Sequence, residues 1–527
     1  MIYQLQHLLS ESAHRYPDKD AVVYKDSRIT YRDLESISNK LAYILNREGA
    51  EKGDRIGIYL NKSIKSIASI FGILKAGGVY VPIDPALPPK RLAYIIKDCG
   101  IKHLISSGDK IKRLEEIFSL CSAPSLKSVI FADVKISAAQ KILSETMSIP
   151  WEVVEGSPEL DSSVDRINTD LAYILYTSGS TGIPKGVMIS HLAAFTFIDW
   201  AYSCFKISKD DVVSNHAPLH FDLSIFDIFV TIKAGGTVVL VPETTPTFPV
   251  TLTKFIIENK ITVWYSVPSA LILLLTKGNL EKYKFSDLRL VLFAGEVFPI
   301  KYLRKLKNVV SQAKLYNLYG PTETNVCTFY EVKEIPSDQV EPVPIGKAIS
   351  NYEVFAVNKE GRKIKPGEIG ELYARGPGLM LGYWGDTEKT QNGLLPNRFQ
   401  SHFEEKIYRT GDIVKIDEDG NYLYVGRKDS MIKSRGYRIE LGEIETVLYS
   451  HPIVKEAVVV AIPDEEVTNR LKAFVVTEKP GVLTVTEIQE YCRDRIPIYM
   501  VPETIEFRES FPKTATGKID RNSLKQR

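Results

Sequence analysis

Hydrophobic and polar positions alternate along this chain in two periods, and the switches between them mark its elements. Ile2, Leu5, Leu8 and Leu9 recur at helical spacing and predict an amphipathic helix at the start. Residues 21–24 and 28–31 read as a hairpin across Lys25-Asp26-Ser27. Thr30 and Asp33 offer a capping box for a helix to about residue 47, ended near Gly49. A strand at 55–60, a helix at 63–76 stopped by Gly77-Gly78, and a strand at 79–83 follow. This alternation implies parallel pairing with helices on both faces. Residues 101–106 and 129–131 continue it, whereas 137–159 carry a weak pattern and read as an irregular connector.

A short apolar strand at 171–176 ends in a row of small residues, after which a helix is expected from about Ala193. A second α/β unit then resumes, with strands at 212–216, 236–241, 263–266 and 290–294 and helices at 224–229 and 252–258. Residues 354–357 and 370–375 suggest a smaller β-rich subdomain, and Asp419-Gly420 a hairpin turn between 413–416 and 422–425. Beyond residue 430 come a helix at 444–449, strands at 454–462 and 473–476, and a helix at 488–495.

Composition narrows the classes. At 527 residues the chain exceeds one core, so two or more domains are expected. Its 44% apolar and 25% charged content is ordinary for a globular protein. A net charge of +2 gives no reason to expect a nucleic acid or a membrane as partner. No apolar run is long enough to span a bilayer. The N-terminus lacks the basic and cleavage regions of a signal peptide. The five cysteines, Cys99, Cys121, Cys204, Cys327 and Cys492, are scattered, which argues for reduced thiols in a cytoplasm and against a metal cluster.

The row of small residues carries the first chemistry. Thr177, Ser178, Gly179, Ser180, Thr181 and Gly182 precede Pro184, Lys185 and Gly186. Such a stretch cannot build a core, but it can wrap backbone N–H groups and hydroxyls around a polyanion, with Lys185 adding charge at the far end. It is not a Walker loop, because no Gly-Lys is followed by Ser or Thr at the required spacing.

Residues 176–186 resemble the phosphate loop of the adenylate-forming superfamily, which contains acyl-CoA synthetases, luciferases and nonribosomal peptide adenylation domains. The resemblance runs from the N-terminal helix to the PKTATGKIDR stretch around Lys518. It implies a large N-terminal domain, residues 1–428, of two doubly wound α/β halves plus the β-rich subdomain. A small mobile α+β domain, residues 429–527, would follow a hinge at Asp429. It also implies ATP and Mg²⁺. The phosphate loop would serve the β- and γ-phosphates, Glu323 of GPTE the metal, and Tyr319 the adenine. Asp412 of YRTGD and Arg427 of GRKD would bind the ribose, and Gly295, Asn317, Gly320 and Thr322 would complete the nucleotide site. Lys518 would bridge the substrate carboxylate and the α-phosphate, with Thr181 and Glu323 as further catalytic groups. Residues 433–440, KSRGYRIE, would face an incoming pantetheine in a second orientation of the small domain.

Asp222, in the run His220-Phe221-Asp222-Leu223-Ser224, resembles the acid that pairs with the ammonium of an α-amino acid substrate. An N-cap for the following helix is the plainer alternative. Either Phe221 or His220 would fill the aromatic slot beside the reacting carboxylate. The family's pocket maps onto Asp222, Leu223, Phe226, Tyr265, Leu292, Ala294, Leu318, Val326, Cys327 and Lys518. This set resembles that of free-standing proline-activating enzymes, which load L-proline onto a separate phosphopantetheinylated carrier protein in pyrrole- or pyrroline-forming pathways, including the anatoxin type. An acyl-CoA ligase or another amino-acid ligase of the same superfamily is the alternative. A fatty- or aryl-acid ligase has little use for a recessed carboxylate at position 222. A non-catalytic binding module is disfavoured because the phosphate loop, Glu323 and Lys518 are all intact.

Overall fold

Valine- and isoleucine-rich strands flanked by helices build two large sheets. The computed structural model describes residues 2–120, 126–135, 146–160, 166–179, 183–428, 431–477, 481, 483–512 and 524. One sheet runs Gly382–Tyr383, Lys185–Ser190, Leu171–Thr177, Val79–Pro82, Arg55–Ile58, His103–Ser106, Ser128–Phe131, Met147–Pro150. From Leu171–Thr177 to Met147–Pro150 its neighbours are parallel. The second runs from Lys347–Ala348 through Thr328–Val332, Lys314–Tyr319, Leu290–Ala294, Val263–Ser266, Val212–Asn215 and Thr237–Leu240 to Asp20–Tyr24 and Ser27–Thr30. Its central strands are also parallel. Helices cover these sheets, and one continuous core joins them, as the expected pair of α/β halves requires.

Four local features differ from the sequence reading. The N-terminal hairpin does not join the strands that follow it. It joins the second sheet, Val22 beside Val238, because Ala21, Val22 and Val23 are apolar on both faces and need cover on both. The phosphate stretch joins two paired strands, since Lys185–Ser190 returns antiparallel to Leu171–Thr177. The next helix, His191–Phe205, is capped by Ser190, which accepts from the Ala193 N–H. Residues 147–155 are not irregular: Met147–Pro150 forms the sheet edge and Trp151–Glu155 a short helix. The helix expected at 224–229 extends from Leu223 to Ala234 with a π turn at Phe226–Val230. Such turns insert one residue into the helical ladder and are frequent at functional sites.

The β-rich subdomain consists of Glu353–Val357, Ile369–Arg375, Lys406–Ile416, Leu394–Pro396 and Tyr422–Arg427. Gly420 takes φ +78° in the turn before Tyr422, as the Asp-Gly pair predicts. Toward the C-terminus Val454–Asp464, Thr468–Thr477 and Thr504–Phe507 form a three-stranded sheet. Helices Leu441–Tyr449 and Val485–Arg493 pack on it around Ile444, Leu448, Val459, Ala473 and Ile488. A separate hairpin, Met431–Ser434 with Tyr437–Glu440, turns through Arg435 and Gly436 at φ 52° and 80°. Two positive φ values in succession are what a tight two-residue hairpin turn needs. Arg91, on helix Pro89–Asp98, pairs with Glu443 in a buried ion pair that ties this region to the first sheet.

Candidate active site

The C-terminal ends of the parallel strands in both sheets converge on one crevice, the usual ligand position in open α/β sheets. Three adjoining cavities occupy it. A nucleotide-sized cavity lies between Gly295, Asn317, Tyr319 and Arg427. A central one is bounded by Thr177, Ser178, Asp222, Tyr265, Thr322 and Val326. The third, about 460 Å³, runs outward between Ile58, Leu60, Pro85, Ala217 and Val267. Gly295, Arg427, Met431 and Lys433 border the first two, and His220, Phe221, Leu223 and Tyr437 the last two.

At the nucleotide end Asp412 is buried with both oxygens engaged. Arg427 donates to Oδ1 at 2.7 Å, and the Tyr319 hydroxyl donates to Oδ2. Asn317 is fixed by its amide donating to the Pro344 carbonyl at 2.8 Å. Gly295 holds φ +94° at the end of Leu290–Ala294, a conformation that favours glycine. A side chain at Gly320 would run into the Asn325 carbonyl, which keeps that turn tight.

Thr177 and Ser178, at the start of the phosphate stretch, border the central cavity. Thr177 ends its strand, Ser178 donates from Oγ to the Arg438 carbonyl at 2.6 Å, and a side chain at Gly179 would meet the Ile183 carbonyl. Ser180, Thr181 and Gly182 lie outside the described residues, as do Asp429 and Lys518. Lys185 and the fully buried Glu323 meet at 3.2 Å. The Tyr383 hydroxyl donates to Glu323 at 2.7 Å, and Arg438 reaches both carboxylate oxygens at 3.0 Å. Burial alone would raise the Glu323 carboxyl, but the Arg438 and Lys185 cations hold it well below the usual carboxylate range. Burial, aided by Arg438, brings the Lys185 ammonium down to about 8.

Asp222 does not cap the helix after it: its backbone is helical and its side chain makes no cap bond. Its Oδ2 accepts instead from the Thr322 hydroxyl at 2.8 Å, across 100 residues of sequence. Burial raises its carboxyl and the Thr322 bond lowers it. Tyr265, Leu292, Ala294 and Leu318 share one sheet face, in the register Tyr265 beside Leu292 and Ala294 beside Leu318. Tyr265, Ala294, Val326, Asp222 and Leu223 border the central cavity. Phe226 and Leu292 lie behind this wall, with Phe226 edge-on to Tyr265 at 5.5 Å, and Leu318 borders the nucleotide cavity. Cys327 departs from the mapped pocket. It packs with Tyr319 and Ile345 against the β-rich subdomain, because Val326 beside it takes the cavity side.

Two groups escaped the sequence reading. Glu296 accepts from the Gly436 N–H at 2.7 Å and the Ser269 N–H at 2.9 Å, anchoring the tip of the 431–440 hairpin. Tyr383 reaches Glu323 from the edge strand of the first sheet. Neither belongs to a periodic pattern that would have marked it. Both His220 and Phe221 border the central cavity, and Phe221 sets its ring edge-on to Tyr437 of the hairpin at 4.9 Å.

Residues 9–384 match the model of the AMP-binding enzyme family, and residues 443–518 that of the AMP-binding enzyme C-terminal domain. An L-proline--[L-prolyl-carrier protein] ligase of Pseudomonas fluorescens is 38% identical over 99% of this chain and 98% of its own. One of Streptomyces coelicolor is 36% identical over 94% and 91%. Among solved structures, an amide bond synthetase from Marinactinospora thermotolerans superposes with a TM-score of 0.85, covering 99% of both chains at 24% identity, a likeness of fold. The chain therefore belongs to the AMP-binding enzymes of the adenylate-forming superfamily.

Proposed function

We propose that this enzyme is a ligase that activates L-proline with ATP as prolyl-AMP and then passes the prolyl group to the phosphopantetheine thiol of a separate carrier protein. Two proline–carrier-protein ligases at 36% and 38% identity, matched over nearly their whole length, support that reading. The observation that carries it in the molecule is Asp222, a carboxylate on the wall of the central cavity beside Leu223, Tyr265, Ala294 and Val326, where it would pair with the ammonium of an amino acid. An acyl-CoA ligase would leave that carboxylate without a partner in the substrate.

The family's nucleotide is ATP. By the family's pattern Asp412 and Arg427 would hold its ribose, Tyr319 its base, and Lys185 with the loop around Ser178 its phosphates, and Asp412, Arg427, Tyr319 and Ser178 border the two inner cavities. Among the described residues no cluster of three or more His, Cys, Asp or Glu could hold a metal alone. Mg²⁺, however, commonly takes one or two carboxylates and completes its shell with phosphates and water. Glu323 fits that use once Arg438 withdraws, and Mg²⁺ would then neutralise charge on the phosphates. Adenylation is positioning and electrostatics. The ammonium on Asp222 fixes the amino acid while Lys518 neutralises the meeting of its carboxylate with the α-phosphate.

Transfer needs another arrangement of the region after residue 428, turning about Asp429, with 1–428 and 429–527 as the moving bodies. The 431–440 hairpin at the crevice supports this, since Arg438 holds the carboxylate proposed for the metal and Tyr437 borders the outward cavity. That cavity suits a pantetheine arm. No helix of the described residues is long and apolar enough to cross a membrane. Cys99, Cys204, Cys327 and Cys492 are free thiols, in keeping with a cytoplasmic enzyme.

Pyrophosphate exchange across the standard amino acids tests the reading, with L-proline expected to support the fastest rate. A clear preference for Phe or Leu would remove proline as the substrate. Asp222→Ala should lower kcat/KM for proline by about 10- to 10²-fold, chiefly through KM, because a charge-assisted bond of about 1.5–3 kcal/mol is lost. An unchanged kcat/KM would show that Asp222 only supports Thr322.

A further inference from the structure

Transfer requires a thiol to lose its proton, and the thiolate, not the thiol, is the nucleophile. The outward cavity and the central cavity meet at a neck. Among the described residues, two titratable side chains border both cavities, His220 and Tyr437. The Tyr437 phenol is pushed up to about 12 by burial, and its ring is stacked on Tyr499 at 3.7 Å. It cannot take a proton near neutral pH. Lys62 and His216 border the outward cavity alone. Lys62 is held by the Asn215 and His216 carbonyls at 2.9 and 2.8 Å, and His216 Nδ1 is engaged with the Ser266 hydroxyl at 3.0 Å.

His216 Nε2 is also buried without a partner among the described residues, but of the two histidines only His220 borders the central cavity as well. Its Nε2 is buried, has no hydrogen-bond partner among the described residues, and lies 3.9 Å from Asp84 Oδ2. A neutral ring that keeps its proton on Nε2, toward Asp84, leaves the Nδ1 lone pair for a ligand. Protonation there makes an imidazolium facing a carboxylate within ion-pair reach, the arrangement that orients an imidazole base. Asp222, the proposed ammonium partner, is two residues along the chain and borders the same central cavity.

We propose that His220 is the general base of the transfer step, with Asp84 as its positioning residue. The inference rests on the two-step reading above. In the step, the pantetheine S–H bond breaks and its proton passes to His220 Nδ1. Sulfur forms a bond to the prolyl carbonyl carbon, the bond from that carbon to the AMP phosphate oxygen breaks, and AMP leaves as its anion. The imidazolium then returns the proton to water in the outward cavity. The charged groups around the ring agree with this role: burial lowers its pKa, Asp84 draws it up, and Lys62 pushes it down, so the ring is neutral at pH 7. Phe221, edge-on to the ring at 5.2 Å, is apolar.

The test is single-turnover transfer from enzyme-formed prolyl-AMP to free pantetheine, against pH, with pyrophosphate exchange measured in parallel. In the wild type, transfer should rise through an imidazole inflection below about 6.5 and then level off. His220→Gln should slow transfer near neutral pH by about 10²-fold or more relative to exchange, with the plateau replaced by a rise that follows thiolate concentration. Added imidazole should restore transfer in His220→Gly. Asp84→Asn should move the inflection to lower pH, since the imidazolium loses its counter-charge. A His220→Gln enzyme that keeps the wild-type pH profile, or loses exchange and transfer equally, overturns the assignment. A wild type that makes prolyl-AMP and transfers it without any imidazole inflection also overturns it. Wild-type enzyme that makes no prolyl-AMP overturns instead the reading beneath.

Discussion

Replacing Lys518 with Ala is expected to slow prolyl-AMP formation by about 10²- to 10³-fold, comparable to losing one donor that stabilises a developing oxyanion. The reaction brings a carboxylate against a phosphate, and three of the cations around the crevice are already committed. Arg427 sits on Asp412 at 2.7 Å, and Arg438 and Lys185 sit on Glu323 at 3.0 and 3.2 Å. Lys518, beyond the described residues, is the further cation that the family pattern brings to this point. Transfer should be far less sensitive. In the arrangement seen, a different lysine, Lys433, borders both the nucleotide and the central cavity, so departing AMP has a cation of its own. Pyrophosphate exchange measures the first step, and single-turnover release from preformed prolyl-AMP the second. Equal losses in both would contradict the division of labour between the two lysines.

The parts of this molecule legible in its sequence are those set by local pattern. The strand Leu171–Thr177, helix Tyr31–Arg47 between Thr30 and Gly49, and the Asp419-Gly420 turn follow from periodicity and turn chemistry. What depends on which distant surfaces meet was not legible. Strand Lys185–Ser190 is short and begins inside a loop motif, so only its pairing with Leu171–Thr177 reveals it. The Asp20–Tyr24 strand reads like any buried strand, and its sheet is decided by Val238. At the crevice the motifs marked individual residues but not their partners. The family resemblance assigns Thr322 to the nucleotide, yet its hydroxyl donates to Asp222. The family's pocket map includes Cys327, but Val326 borders the cavity and Cys327, one residue on, packs with Tyr319 and Ile345 instead. Glu296 lies in a short Ala-Gly-Glu run whose use appears only when Gly436 is seen against it.

A further such partnership joins Glu323 and Arg438, 115 residues apart, and the second half-reaction is expected to depend on it. Arg438→Ala should lower loading of a carrier protein by about 10- to 10²-fold, while pyrophosphate exchange stays within a few-fold of wild type. Breaking a buried ion pair by removing one partner typically costs about 3–5 kcal/mol. Here Lys185 and Tyr383 remain on Glu323, so the loss is smaller than for a carboxylate left alone. A weakening of hairpin docking by about 1.4–2.8 kcal/mol corresponds to the stated range. Glu296 and Ser178, which hold the hairpin through Gly436 N–H and the Arg438 carbonyl, are untouched by the substitution, so docking is weakened and not abolished. Adenylation should be spared because it uses Glu323 without Arg438. Arg438→Lys should recover only part of the loss, since an ammonium cannot meet both carboxylate oxygens as a guanidinium does. Intact mass of the loaded carrier protein and pyrophosphate exchange, measured on the same preparations, separate the outcomes. Undiminished loading by Arg438→Ala would mean that the hairpin does not need this pair to reach the crevice. A parallel fall in both half-reactions would mean that Arg438 keeps Glu323 in place for adenylation as well.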